Sequence, residues 1–170
     1  MRLRTALAAL MLLLGSGSAY AEQLIISIDK SIQRMTVSVD GEEQYVWPVS
    51  TGAAGYNTPS GTYHPFRLEE FHFSEEWDDA PMPNSIFFTQ QGHAIHGSEH
   101  VRSLGRPASH GCVRLAPENA ETLFYMVEEI GMPNTTVIVK GGGVAKRTNR
   151  PRAHRWMRSP DWMFDYSEGY

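Results

Sequence analysis

Apolar and polar residues alternate clearly over residues 34–39, Arg-Met-Thr-Val-Ser-Val, and apolar segments lie on either side of them at residues 24–28 and 44–50. This two-residue period is typical of strands that bury one face. The predicted strands are residues 24–28, 34–39 and 44–50. Asp40-Gly41, between the second and third strands, is typical of a hairpin turn. Residues 51–61 are rich in Gly, Thr, Asn and Pro, and they predict a long loop.

The second half of the chain contains three more short strand patterns and one helical pattern. The strands are predicted at residues 86–88, 93–95 and 135–140. Residues 117–130 predict a helix, because Pro117 suits a first helical turn and Gly131 suits a helix end. Many short strands with one helix indicate a mainly β domain.

The N-terminal residues have the pattern of an export signal. Arg2 and Arg4 precede the apolar residues 6–14, and Ala19-Tyr20-Ala21 is a small-x-small cleavage site. The apolar stretch is well short of the roughly 20 residues that span a bilayer. We therefore predict a signal peptide over residues 1–21 and an exported protein of the periplasm or cell envelope, without a transmembrane segment after cleavage.

Charge divides the rest of the chain into two regions. Residues 22–140, predicted as one domain, hold 7 basic and 16 acidic residues. An acidic body disfavours nucleic acid as a partner and suits a substrate that carries free amines. Residues 141–170 hold 6 basic and 3 acidic residues with aromatic residues among them, and they predict a flexible C-terminal tail.

Cys112 is the only cysteine of the chain, so no second cysteine is present to form a disulfide with it. It follows Ser109-His110-Gly111 and lies sixteen residues after His96. A thiol becomes a nucleophile when an imidazole takes its proton. His110 shares a face with Cys112 in an extended segment, and His96 arrives from another strand segment. The residues alone favour His96 without excluding His110.

Glycines stand beside both candidate groups. Gly97 follows His96 directly and allows a close backbone path there. Gly111 places no side chain beside the nucleophile. The backbone N–H groups of Gly111 and Cys112 are therefore candidates for an oxyanion hole.

Several motifs between residues 24 and 140 follow one another in a fixed order. They are Asp40-Gly41, Pro48-Val49-Ser50-Thr51-Gly52, Thr58-Pro59-Ser60-Gly61-Thr62-Tyr63, Pro81-Met82-Pro83, Ala94-Ile95-His96-Gly97-Ser98 and Ser109-His110-Gly111-Cys112-Val113-Arg114-Leu115. This set resembles the L,D-transpeptidase catalytic domain of the YkuD or ErfK type. The resemblance implies a compact, mainly β domain over residues 22–140, sandwich- or barrel-like, with one or two short helices.

The resemblance also implies a substrate and a reaction. Cys112 would attack the peptide bond between diaminopimelate and D-alanine in a peptidoglycan stem peptide, releasing D-alanine and leaving a thioester. An amine would then resolve the thioester. An amine of a second stem peptide gives a 3–3 crosslink, and a lysine of an envelope lipoprotein gives an anchored protein. No cofactor and no metal are implied, and carbapenem-type inhibitors are expected to acylate the thiol.

Site roles follow from the same resemblance. It implies that His96 is the acid/base and that the Gly97 carbonyl orients it. Ser109 and His110 match supporting positions, as does Gly111 beside the oxyanion. Arg114 is expected to hold the site or a substrate carboxylate.

Other functions compete with transfer to an amine. Water as the acceptor would make the enzyme an L,D-carboxypeptidase or a lipoprotein-releasing amidase. A non-catalytic peptidoglycan-binding module is disfavoured by the intact thiol and histidines. A metal-binding protein is the third alternative; its ligands would be His93, His96, His100, His110 and Cys112.

Two groups outside the motif receive weaker assignments. His64 and His72 are expected to be ordinary loop residues. The acidic residues between 69 and 79 are expected to form a solvated loop, or else to attract the ammonium of the substrate. Met82 and Phe87, like Trp77, are candidates for the cleft or for the core.

Overall fold

The computed structural model describes residues 21–75 and 79–142. The predicted tail beyond residue 142, nearly all of the predicted signal peptide and Trp77 lie outside this part of the chain. The strands are β1 (Leu24–Asp29), β2 (Arg34–Val39), β3 (Glu42–Pro48), β4 (Gly61–Tyr63), β5 (Arg67–Glu69), β6 (Phe73–Ser74), β7 (Ala80–Pro81), β8 (Ser85–Phe87), β9 (Ala94–Gly97), β10 (Val113–Leu115) and β11 (Thr135–Lys140). Helix α1 is Pro117–Ile130, and short 3₁₀ helices span Val101–Ser103 and Met132–Asn134.

Two sheets share one apolar core. The first has the strand order β3-β2-β1-β11-β4, and the second has the order β10-β9-β8-β5. β6 and β7 form a separate two-stranded pair. The core side chains come from both sheets and from α1, and they include Ile26, Val37, Ile95, Leu115 and Leu123. The prediction of a mainly β domain is therefore confirmed, and the sheets of the described residues do not close into a barrel.

The strand predictions made from alternation agree with the first sheet. In β1, every second residue from Leu24 is fully buried, which is the pattern expected of a strand with one face on the core. Asp40 and Gly41 have φ angles of 51° and 85°, as a tight hairpin turn requires. β1 pairs with β2 on one side and, in parallel, with β11 on the other.

Helix α1 spans the predicted residues and packs chiefly against β9. Its buried side chains are Ala120, Leu123, Phe124 and Val127, one face of the helix. Gly131 has a φ of 92°, and its N–H donates to the Val127 carbonyl at 2.9 Å, which closes the last turn. Within the described residues, no helix has the length and apolar character needed to cross a membrane.

Parallel pairing of β9 with β10 brings the two candidate catalytic segments together. Arg114 is the register partner of His96, and Leu115 is the partner of Gly97. Cys112 lies one residue before β10 and two residues before Arg114, so it is on the same side of the sheet as His96. The fold thus places the thiol and the imidazole at one end of the second sheet.

Candidate active site

The backbone conformation directly before Cys112 requires a glycine. Gly111 has a φ of 121°, and a Cβ built there would lie 3.2 Å from Cδ2 of His93. A side chain at this position would therefore meet both backbone strain and the imidazole of His93. Cys112 is half-buried, and its Sγ lies 3.8 Å from the carbonyl oxygen of Gly92.

Ser109 closes the turn that carries Cys112. Its hydroxyl donates to the Cys112 carbonyl at 2.5 Å and accepts the Gly111 N–H at 3.1 Å. Ser109, which was expected to support the site, thus makes two hydrogen bonds within this turn. The Gly111 N–H points at Ser109 in this structure, so a role for it in an oxyanion hole would require that hydrogen bond to break.

The loop of residues 51–61 braces the same turn from behind. The Thr58 hydroxyl donates to the Gly111 carbonyl at 2.7 Å and accepts the Gly52 N–H at 2.9 Å. Gly52 also forms a bridge with Ser109. Its Cα is so close to the loop that an added Cβ would lie 1.6 Å from the Tyr56 carbonyl oxygen. The small and hydroxyl residues of this loop therefore set the position of Cys112.

Two buried polar side chains fix that loop to the first sheet. The Lys30 ammonium donates to the Thr58 carbonyl at 2.6 Å. The Gln33 amide donates to the Thr51 hydroxyl at 2.7 Å, and its oxygen accepts the Thr51 N–H at 2.9 Å. Thr51 in turn accepts the Ser109 N–H at its carbonyl. Hydrogen bonds therefore connect the start of β2 to the turn before Cys112.

His96 is held rigidly and is almost completely buried. Its side chain is 5% exposed, and its Nδ1 lies 2.7 Å from the Gly97 carbonyl oxygen. Because a carbonyl only accepts, Nδ1 carries the proton and Nε2 is the acceptor of the neutral ring. Gly97 is tightly enclosed, since an added Cβ would lie 3.2 Å from Pro83 and 3.3 Å from Pro117. The carbonyl that orients His96 is therefore fixed in place.

Burial keeps the His96 ring neutral. Desolvation lowers its pKa from 6.5 to about 4, although the hydrogen bond to Gly97 acts in the opposite direction. Electrostatic interaction with Arg114, and to a smaller extent with His72, lowers the pKa of His96 further. At neutral pH the ring is therefore neutral, with its proton on Nδ1 and its acceptor nitrogen at Nε2.

His110 has a different environment from His96. It is exposed, and its ring meets the Tyr56 ring edge-on at a centroid distance of 4.6 Å. Arg114 donates from Nη1 to the Ala108 carbonyl at 3.3 Å, which ties its guanidinium to the loop before Cys112. Of the two candidate histidines, His96 is the buried one, with its Nδ1 on the Gly97 carbonyl.

Two pockets adjoin the thiol, each with a volume of about 310 Å³. The His96 pocket is lined by His96, Ser98, Glu99, His100 and Arg114, among others. The Arg67 pocket is lined by Arg67, His72, Glu75, Phe87, Gln91 and His93, among others. Cys112, Met82, His110 and Ser74 line both. Met82 and Phe87 are thus cleft residues as well as parts of a small apolar cluster.

Sequence reasoning did not identify the charged group in the Arg67 pocket. Glu69 contacts Arg67 Nη1 at 3.2 Å with one oxygen and His72 Nδ1 at 2.7 Å with the other. Both basic side chains pack on Phe87, the Arg67 guanidinium carbon 3.6 Å from the ring centroid. His72, expected to be an ordinary loop residue, lies between β5 and β6 and lines the Arg67 pocket, whereas His64 contacts Thr135 away from both pockets. No motif surrounds these residues, so the sequence carried no signal for them.

The structure also bears on the metal-binding alternative. In residues 21–75 and 79–142, no three His, Cys, Asp or Glu side chains are arranged so that they could hold a metal ion.

Comparison with known proteins gives a consistent result. The family model of the YkuD L,D-transpeptidase catalytic domain matches residues 23–139. An L,D-transpeptidase from Mycobacterium smegmatis is 26% identical with a TM-score of 0.64, over 71% of this chain and 59% of that one. An L,D-transpeptidase from Stackebrandtia nassauensis is 27% identical with a TM-score of 0.61, over 74% and 58%. No curated protein shows a significant match.

A third solved structure is the L,D-transpeptidase LdtMt1 in complex with imipenem. It is 25% identical with a TM-score of 0.63, over 70% of this chain and 59% of that one. The chain thus spans about three fifths of the length of the solved chains it matches. The family match covers most of the chain and contains the whole site described above, which confirms the resemblance seen in the motifs. The chain belongs to the YkuD family of L,D-transpeptidase catalytic domains.

Proposed function

We propose that the protein is an exported L,D-transpeptidase that acts on peptidoglycan stem peptides through a Cys112 thioester. The observation that carries this proposal is the pairing of a half-buried thiol with a buried, neutral His96 on the wall of one pocket. The signal-peptide pattern of residues 1–21 supports a periplasmic or envelope location.

The first half-reaction releases D-alanine. Sγ attacks the carbonyl carbon that follows diaminopimelate, and the thiol proton passes to Nε2 of His96. Because the pKa of His96 is about 4, the resting pair is thiol and imidazole, and the proton moves as the C–S bond forms. His96 then returns the proton to the departing amine as the C–N bond breaks. The product is the thioester and free D-alanine.

The second half-reaction is the same exchange in reverse with a new amine. The amine attacks the thioester carbonyl, His96 takes its proton, and the C–S bond breaks to restore the thiol. An amine of a second stem peptide gives a 3–3 crosslink, and a lysine of an envelope lipoprotein gives an anchored protein. No electrons are transferred, so the reaction needs no redox cofactor.

Purified enzyme and disaccharide-tetrapeptide test the proposal when products are followed by mass spectrometry. We expect wild type to release D-alanine and to form a joined dimer, and Cys112→Ala to form neither. His96→Gln should lower the rate by about 10² to 10⁴-fold. His64→Gln is the matched control, because His64 contacts neither pocket, and its rate should equal that of wild type. Release of D-alanine without a dimer would instead assign the L,D-carboxypeptidase alternative, and full activity of Cys112→Ala would refute the thioester.

Inhibition gives a second test. Imipenem is present in the structure of the similar enzyme LdtMt1. We expect carbapenems to add covalently to Cys112 of this chain. A mass adduct on wild type and none on Cys112→Ala is the expected result.

A further inference from the structure

The chemistry of His96 assigns the two pockets to different parts of the substrates. His96 must reach the leaving amine in the first half-reaction and the attacking amine in the second. It lines only one of the two pockets, whereas Cys112 lines both. Departing D-alanine and incoming amine therefore occupy the His96 pocket in turn, and the acyl group bound to sulfur extends into the Arg67 pocket.

The Arg67 pocket holds an arginine that is positioned by two neighbours, Phe87 and Glu69. Phe87 packs beneath its guanidinium at 3.6 Å, and Phe87 itself is only 2% exposed. Glu69 contacts one of its nitrogens at 3.2 Å, and the other oxygen of Glu69 contacts His72 at 2.7 Å. Arg67 uses Nη1 for Glu69, and a guanidinium has five N–H donors, so donors remain for a ligand.

The pocket also contains a negative charge. Glu75 lines it together with Arg67 and lies outside the contacts of the Arg67–Glu69–His72 group. A wall with one guanidinium and one carboxylate fits a ligand that has a carboxylate and an ammonium on the same carbon. Such an α-amino-acid head is the distal end of diaminopimelate, the residue whose carbonyl becomes the thioester.

We propose that the Arg67 pocket binds the zwitterionic distal end of the diaminopimelate in the acyl donor, with the Arg67 guanidinium on its carboxylate and Glu75 facing its ammonium. This inference rests on the proposed function, because it needs a stem peptide as donor. It makes Arg67 a residue that selects donors with a free distal carboxylate over donors in which that carboxylate is amidated.

The test compares two tetrapeptide donors that differ only in amidation of the distal diaminopimelate carboxylate. The readout is kcat/KM for the first release of D-alanine, measured with each donor. We expect wild type to prefer the free carboxylate by about tenfold, as for a partly exposed hydrogen bond to a charged group. Arg67→Gln should lose this preference by slowing only with the free donor. Arg34→Gln, an exposed arginine on β2 outside both pockets, should keep it.

Other outcomes separate the inference from the proposed function. Equal use of both donors by wild type, or a preference that survives in Arg67→Gln, would overturn the inference while leaving the transpeptidase in place. Failure of Cys112 to release D-alanine from either donor would overturn both. Glu75→Gln should slow both donors about equally, because both keep the ammonium, and an unchanged rate would contradict the assigned role of Glu75.

Discussion

Acid should destabilise the folded protein through His96. In the unfolded chain this histidine binds a proton as the pH falls below 6.5, whereas in the folded protein burial lowers its pKa to about 4. Between these two values the unfolded state binds more protons, so stability is complete above pH 6.5 and is lost as the pH falls towards 4. Lowering the pKa from 6.5 to about 4 corresponds to about 3 kcal/mol in total.

Much of this loss of stability falls within a pH range in which unfolding is readily measured. Between pH 7.5 and pH 5, the His96 contribution to the free energy of unfolding should decrease by about 2 kcal/mol. Urea unfolding of wild type and His96→Gln at both pH values measures it. The variant should lose about 2 kcal/mol less than wild type, because glutamine does not titrate and the other ionisable groups are shared. His64→Gln is the control for replacing a histidine by glutamine at an exposed position outside both pockets.

Each protein is compared with itself at the two pH values. A destabilisation by His96→Gln that is the same at both pH values therefore cancels. Equal pH dependence in wild type and His96→Gln would refute the conclusion that His96 is neutral because of burial. The same measurement would then place the pKa of the folded histidine near 6.5.

Three other predictions follow from the site. Gly52→Ala should lower the free energy of unfolding by about 3 kcal/mol or more, because the new Cβ would lie 1.6 Å from the Tyr56 carbonyl oxygen. Thermal melts measure this loss. Gly142→Ala is the control and should be neutral, because a Cβ at Gly142 meets open space. Thr58→Val should lose about 1–3 kcal/mol in urea unfolding because two buried backbone groups lose their partner; an unchanged midpoint would contradict this. Imipenem should label Cys112 more slowly in Thr58→Val than in wild type, as measured by intact mass, because the turn that carries the thiol loses its brace.

The longer elements were predictable because their local pattern coincides with their burial. β1, β2 and β11 alternate between core and solvent, and α1 has an apolar face between Pro117 and Gly131. β4 to β7 contain two or three residues each and have no measurable period. β5 exists because Arg67–Glu69 pairs with Ser85–Phe87, a contact that no local pattern specifies.

Only those residues of the candidate site that belong to the sequence motifs were predictable. Cys112 and His96 follow from residue type and resemblance, and the structure adds that His96 is neutral because it is buried. The Gly111 N–H was expected to face an oxyanion. In the structure it donates instead to the hydroxyl of Ser109. Arg67 and His72 line the pocket that Cys112 also lines, and Arg67 is placed there by the pairing of β5 with β8, so spacing along the chain does not reveal them.

The central claim is that Cys112 carries the acyl group of a stem peptide between two amines. Intact-protein mass spectrometry after brief mixing with disaccharide-tetrapeptide tests it most directly. Wild type is predicted to gain the mass of the disaccharide-tripeptide acyl group, with free D-alanine in solution, and to lose that mass when an acceptor amine is added. A mass gain that persists in Cys112→Ala, or D-alanine release by that variant at the wild-type rate, would contradict the account.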